Sequence, residues 1–170
     1  MNRLLFLLCL VLILGISGCG THRTGDFAIY LLAADISSAE AAKTDLNALT
    51  LQNQPLITSA DLVSYDKDSH EIVLTQAAFQ RIQRLFPTPV RVDGIPFIVC
   101  VGDERIYAGA FWTPLSSLSY DGVIILQPFD TKNPRIQISL GYPSPEAFTG
   151  VDPRADTRVL GALERAGKLK

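Results

Sequence analysis

The chain has no excess of basic residues. Its 15 lysines and arginines stand against 17 acidic residues, for a net charge of −2. It therefore lacks the positive stripe whose counterion release drives binding to DNA or RNA, which argues against a nucleic-acid partner. Cysteine is scarce, with Cys9, Cys19 and Cys100 alone, and no zinc-ligand spacing follows from them. There is no Gly-x-Ser-x-Gly elbow, no Walker loop and no Gly-x-Gly-x-x-Gly, so hydrolase, nucleotide and dinucleotide chemistry lose their usual support and no cofactor is implied. Polar low-complexity sequence is missing too, and 48% of the 170 residues are hydrophobic. That composition fits one folded domain able to bury a core without disulfides or a structural metal.

The hydrophobic run that is present is short. Leu4 to Leu14 is unbroken but covers eleven residues, well under the roughly 20 a membrane-spanning helix needs. It follows Met1-Asn2-Arg3 and precedes Gly15-Ile16-Ser17-Gly18-Cys19, the order of a charged n-region, an apolar h-region and a small-residue exit. Residues 1–18 therefore read as a signal peptide. Ile16-Ser17-Gly18-Cys19 resembles the lipobox of bacterial lipoproteins, in which the cysteine thiol receives diacylglyceryl and the bond before it is cut. The resemblance implies lipidation at Cys19 and a partner in the membrane itself, on the extracytoplasmic face of the cell membrane or envelope. Residues 19–25 then read as the lipidated cysteine and a flexible, glycine-containing tether, and 26–170 as a single extracytoplasmic domain. With Cys9 removed and Cys19 acylated, Cys100 is left alone in the apolar run Phe97–Val101 and reads as an inert core residue.

Within the domain, Phe27–Ala33 and Ile95–Val101 are short apolar runs of strand length. Ser37 with Glu40 three residues later marks a helix start, predicted to run to Leu49. Leu62–Tyr65 and Ile72–Leu74 flank the polar turn Asp66-Lys67-Asp68-Ser69, a hairpin pattern. Phe79, Ile82, Leu85 and Phe86 recur at three- and four-residue steps after Thr75, which predicts a helix over 76–86 ended by Pro87. Gly102-Asp103-Glu104 joins a second hairpin, and Val123–Leu126 with Ile136–Leu140 a third. Asp156–Lys168 reads as a closing helix. The order predicts an α+β fold with a mainly antiparallel sheet of hairpins and two or three short helices.

Two groups of residues are candidates for chemistry. His70 neighbours Asp66, Asp68 and Glu71, a set able to bind metal or act as a general base. No glycine stands at the sixth position of a calcium loop counted from Asp66, and the twelfth is Ala77, so the set reads as a solvated turn and no metal is assigned. The second group is the strand end and loop from Gly109 to Tyr120. Tyr107, Phe111, Trp112, Ser116, Ser117 and Tyr120 form a candidate recognition surface, with Arg105 adding polar specificity. In the alternative reading, Phe111 and Trp112 close the core while the serines cap turns. An enzymatic reading, an envelope hydrolase, would need His70 to reach a serine of Ser116–Ser119.

The strings Ser64-Tyr65-Asp66 to His70-Glu71-Ile72, Gly94-Ile95-Pro96-Phe97, Ile106 to Trp112, and Leu140-Gly141-Tyr142-Pro143 look like a group of bacterial lipoproteins of uncharacterised function. Residues 27–74 are similar to the extracytoplasmic head of the protein-export subunit SecD. These resemblances imply an α+β extracytoplasmic domain and carry over no catalytic residue; the Cys19 anchor, the Gly20–Gly25 tether and the absence of a catalytic constellation point to a binding or accessory module with an envelope protein partner.

Overall fold

The computed structural model describes residues 25–170; the expected signal peptide, the expected lipidation site at Cys19 and the expected tether up to residue 24 lie outside the described residues. The first apolar run forms β1 (Phe27–Leu31). A single helical turn, α1 (Ser38–Ala41), follows, with the Ser37 hydroxyl accepting from Glu40 N at 3.2 Å. The helix stops well before Leu49. Thr44 Oγ1 turns back on Glu40 O at 3.0 Å, and Asp45 Oδ1 accepts from Asn47 N at 2.8 Å. These side-chain bonds satisfy the backbone locally and compete with helix.

Next come β2 (Ile57–Thr58), a 3₁₀ turn at Ser59–Asp61, β3 (Leu62–Tyr65), β4 (Glu71–Leu74) and α2 (Gln76–Gln83), which Thr75 caps as predicted. The remaining elements are β5 (Ile95–Val101), β6 (Glu104–Trp112), β7 (Tyr120–Leu126), β8 (Arg135–Tyr142) and α3 (Thr157–Arg165). Gly167, with φ at +67°, lies just beyond the end of α3, in the left-handed conformation common after helices.

The eight strands form one sheet in the order β2-β1-β5-β6-β7-β8-β4-β3. The three predicted hairpins are present, and every neighbouring pair is antiparallel except β6 and β7. The fold is α+β. Because edge strands β2 and β3 are joined by three residues, the sheet must curl until its two edges meet at that corner. The outer edge of β3 is covered by the C-terminal residues: Tyr65 N donates to Lys168 O at 2.7 Å and Lys170 N to Tyr65 O at 2.8 Å. This pairing hides an edge that would otherwise invite another strand.

Alternation divides the side chains between two layers. On the inner face, Phe97 and Val99 of β5, Tyr107 and Phe111 of β6, and Ile136 and Ile138 of β8 meet Phe79 and Ile82 of α2 and Val159 and Leu163 of α3. On the outer face, Ile98 and Cys100 pack with Leu32, Ala41 and Leu49, and Ala110, Trp112, Tyr120 and Ile124 form a third cluster. Strands β1 and β5 are thus covered on both sides, which is why they read as unbroken apolar runs. Burial pushes the Cys100 thiol up to about 11, so it stays protonated and unreactive at neutral pH.

Glycine 109 is required by packing. A Cβ there would lie 2.4 Å from the Phe97 ring and 2.9 Å from Val123 O. Gly161, inside α3, would meet only the flexible Arg165 guanidinium, at 3.3 Å. Gly109→Ala should therefore lower unfolding free energy by about 1–3 kcal/mol through overpacking, while Gly161→Ala raises it by about 0.5–1 kcal/mol through helix propensity. Urea titrations of the two variants check both signs.

Candidate functional site

The parallel pair β6–β7 sets the site. Its connection, residues 113–119, has seven residues, short of the dozen or so an ordinary parallel crossover uses. The loop is therefore drawn tightly across the outer layer and pinned along its length. Thr113 Oγ1 bonds Gln127 Oε1 at 2.8 Å, Ser116 Oγ donates to Val92 O at 2.7 Å and accepts from Leu118 N at 3.1 Å. The Tyr142 hydroxyl lies 3.1 Å from Pro114 O and 3.2 Å from Ser116 O. Beneath the loop Trp112 stacks on Tyr120 with ring centroids 5.0 Å apart and meets Tyr142 at 5.7 Å. Gly94, at φ +75°, closes the far side: a Cβ there would come 2.4 Å from Ser38 Oγ and 2.5 Å from Trp112 Cε3.

The residues proposed from sequence do not form one exposed surface. Tyr107 and Phe111 point into the inner core, whereas Trp112 and Tyr120 lie in the outer cluster, because neighbouring positions on a strand face opposite ways. Trp112 is only 2% exposed, so it supports the layer from within. Ser116 is buried and fully engaged; Ser117 is exposed on the loop. Arg105 is at the other end of β6, where its guanidinium bonds Leu46 O and, at 2.6 Å, Leu49 O, holding the segment after α1. What the loop offers to solvent is aliphatic: Leu115 is 71% exposed, Leu118 48% and, across the Ser116 hydrogen bond, Val92 45%. Two leucines within a Pro- and Ser-containing loop were the available sequence signal.

A second feature not read from sequence is a cleft of about 280 Å³ between α1 and the start of β7, lined by Ala39, Ala42, Lys43, Ser119, Tyr120 and Asp121. Burial, with the Asp121 charge adding to it, pushes the Tyr120 phenol up to about 12. Asp121 accepts from Thr149 N at 2.8 Å and Thr149 Oγ1 at 2.5 Å, which holds its carboxyl below the ordinary range. Three buried polar atoms among the described residues have no hydrogen-bond partner: Ser38 Oγ and Trp112 Nε1, on the two side chains that meet Gly94, and the Tyr107 hydroxyl in the inner core. Such groups are rare in folded proteins because each costs about 1–3 kcal/mol.

His70 lies elsewhere. It occupies the left-handed region at φ +56° at the end of the β3–β4 turn, a conformation in which His is enriched. The turn is held by Asp66 Oδ1, which accepts from Asp68 N, Ser69 N and Ser69 Oγ. Glu71 pairs with Arg135. The acidic neighbours thus serve the turn and the sheet edge. His70 itself is buried, with Nδ1 2.8 Å from the Tyr65 hydroxyl. Tyr65 belongs to the inner core and Ser116 to the outer layer, so these hydrogen bonds assemble no serine–histidine pair. Among the described residues no cluster of three or more His, Cys, Asp or Glu is placed to hold a metal ion.

No family model, curated protein or solved structure matches the chain.

Burial, reinforced by the nearby Arg154 charge, lowers the His70 pKa. The native state therefore binds fewer protons than the unfolded chain, and the associated stability is present above about pH 6.5 and lost as pH falls below it. Wild-type stability should drop between pH 6.5 and 5 more steeply than that of His70→Asn, which tolerates the same backbone conformation; chemical denaturation across that window checks the difference. Trp112→Ala should cost about 3–5 kcal/mol, as expected for a buried large aromatic, and a thermal melt reads it directly.

Proposed function

We propose that this protein is a lipid-anchored extracytoplasmic binding module whose recognition surface is the pinned loop 113–119. The anchoring half of the reading is carried by Ile16-Ser17-Gly18-Cys19 directly after the Leu4–Leu14 run. The recognition half is carried by Leu115 and Leu118, held exposed on a loop fixed by the Thr113 and Ser116 hydroxyls and by hydrogen bonds to the backbone of Pro114, Ser116 and Leu118. Apolar side chains fixed in place lose little entropy on contact, which favours a partner's apolar surface.

Topology gives this arrangement a direction. Gly102 N donates to Asp26 O at 2.9 Å, so the chain enters the domain beside the β5–β6 turn. Trp112 ends β6 eight residues after Glu104 begins it, about 26 Å away at roughly 3.3 Å per residue. Six tether residues, 20–25, reach at most about 20 Å. A domain anchored at Cys19 then presents loop 113–119 away from the bilayer, toward an envelope protein partner, and anchoring raises its effective concentration there.

Mass spectrometry of the membrane fraction should find a mature N-terminal peptide beginning at acylated Cys19, and Cys19→Ala should leave the protein unprocessed or released. A soluble mature form with unmodified Cys19 overturns the anchor. Leu115→Asp with Leu118→Asp should leave the melting temperature within a few degrees, as surface changes do, and abolish the adduct formed by a photocrosslinker at position 117 in intact cells. Retention of the same adduct overturns the recognition surface.

A further inference from the structure

We infer that the outer edge of β3 is a docking site for an extended segment of a partner protein, in which an apolar residue is followed by a basic one, and that residues 168–170 of the chain hold that place in its absence. The inference concerns a different part of the fold from loop 113–119 and needs neither that reading nor the lipid anchor.

The occupant already in place shows what the edge takes. Leu169 lies opposite Tyr65 in a parallel bridge, with Tyr65 N donating to Lys168 O at 2.7 Å and Lys170 N donating to Tyr65 O at 2.8 Å. Between these two bonds the Leu169 side chain packs against the inner core, which selects an apolar residue at that position. Asp66, Lys67 and Asp68 follow Tyr65, two acids to one base. The backbone and hydroxyl donors of Ser69 hold the Asp66 carboxyl below its ordinary range, and the Lys170 charge acts in the same direction. A basic residue directly after the apolar one therefore meets a favourable field. Tyr65 does not depend on this strap for its own position. Its ring is fully buried and its hydroxyl lies 2.8 Å from His70 Nδ1, so its N–H and C=O stay aimed outward for an incoming strand at low ordering cost.

The strap covers the edge incompletely. It meets β3 through one bridged residue, and the next bond along, from Lys67 N to Lys170 O, is long at 3.4 Å. Just before it the chain turns away into α3: Gly167 sits at φ +67° with nothing within 4 Å of where a Cβ would be, and Lys168 N closes the helix on Leu163 O at 2.8 Å. The strap therefore cannot run back beside Val63, the bulged residue of β3, which is unpaired in the β3–β4 register and 57% exposed. A partner's segment, extended on both sides of its apolar residue, covers Val63 and Tyr65 together. A second copy of this chain offers the same three residues and the same turn, so it covers no more of the edge than the strap does. Strand addition of this kind draws affinity from main-chain bonds and sequence choice from alternate side chains, and a short pairing at the margin of a domain opens at little cost.

In the full chain, extracted from membranes in detergent, the Tyr65 and Lys170 amides should exchange hydrogen about a hundredfold faster than those of the β5–β6 ladder, because only the strap protects them. A fluorescent capped peptide, Thr-Thr-Val-Lys-Leu-Lys-Thr, should bind the wild-type chain, and Leu169→Asn, which loosens the competing strap, should tighten that binding about tenfold. Methylating the backbone nitrogen of the lysine after leucine removes the donor to Tyr65 O and should abolish binding, as should asparagine in place of the peptide's leucine; glutamate in place of that lysine should weaken it severalfold. A Tyr65 amide as slow as the β5–β6 ladder overturns the inference, as does a peptide that binds neither chain or binds equally well when methylated. A wild-type dimer that Leu169→Asn converts to monomer assigns the edge to a second copy and overturns the partner reading. Should Leu169→Asn fail to fold, the exchange rates and the peptide variants on the wild-type chain still decide.

Discussion

The corner at Asp61 is the constraint on which the curled sheet depends. Strands at opposite ends of an eight-stranded order are held three residues apart, and one carboxylate makes that possible. Asp61 Oδ2 accepts from Thr58 N at 2.9 Å and from Thr58 Oγ1 at 3.0 Å, while Oδ1 pairs with Arg81 Nη2 at 2.7 Å. Arg81 in turn donates from Nε to Leu56 O at 3.0 Å. The corner is thereby tied to α2, and α2 delivers Phe79 and Ile82 to the inner core. This half-buried network is worth more than an exposed pair, because the carboxylate satisfies backbone groups at the turn as well as a charge.

Once the edges meet, the interior is filled by side chains from both ends of the chain. Strand β1, the C-terminal residues and α3 all converge there, so segments far apart in sequence secure one another. The two cavities described among residues 25–170 are lined by residues at the ends of strands and beside α1. The loop proposed for recognition lies on the outer face, where seven residues spanning a parallel pair have no slack to collapse onto the core.

The fold was legible where local chemistry and burial agree. Thr75 followed by Phe79 and Ile82, the Gly102-Asp103-Glu104 turn and the Asp66–Ser69 turn all carry their signal within a dozen residues, and each forms the predicted element. The parallel pairing of β6 with β7 left no such trace, since strand direction is a long-range property. The length of α1 was misread because Thr44, Asp45 and Asn47 satisfy the backbone locally. The site was legible only as a region. Tyr107, Phe111, Trp112 and Tyr120 are all in or beside β6 and β7, but alternation sends the first two inward, and a strand covered on both faces shows no polar–apolar pattern from which to learn this. His70 looked like a chemical residue for its neighbours' charges, whereas its actual partner, Tyr65, is five residues back and reaches it from the core.

The aromatic layer explains why the surface proposed for recognition is aliphatic. Trp112, Tyr120 and Tyr142 occupy each other, and Ser116 is consumed by Val92 O and Leu118 N. The apolar side chains left exposed are those at the boundary of the layer, Leu115 and Leu118 on the loop. Rigid aromatics beneath and adaptable contacts above are an efficient arrangement for binding, because the ordering cost is met when the domain folds rather than when a ligand arrives.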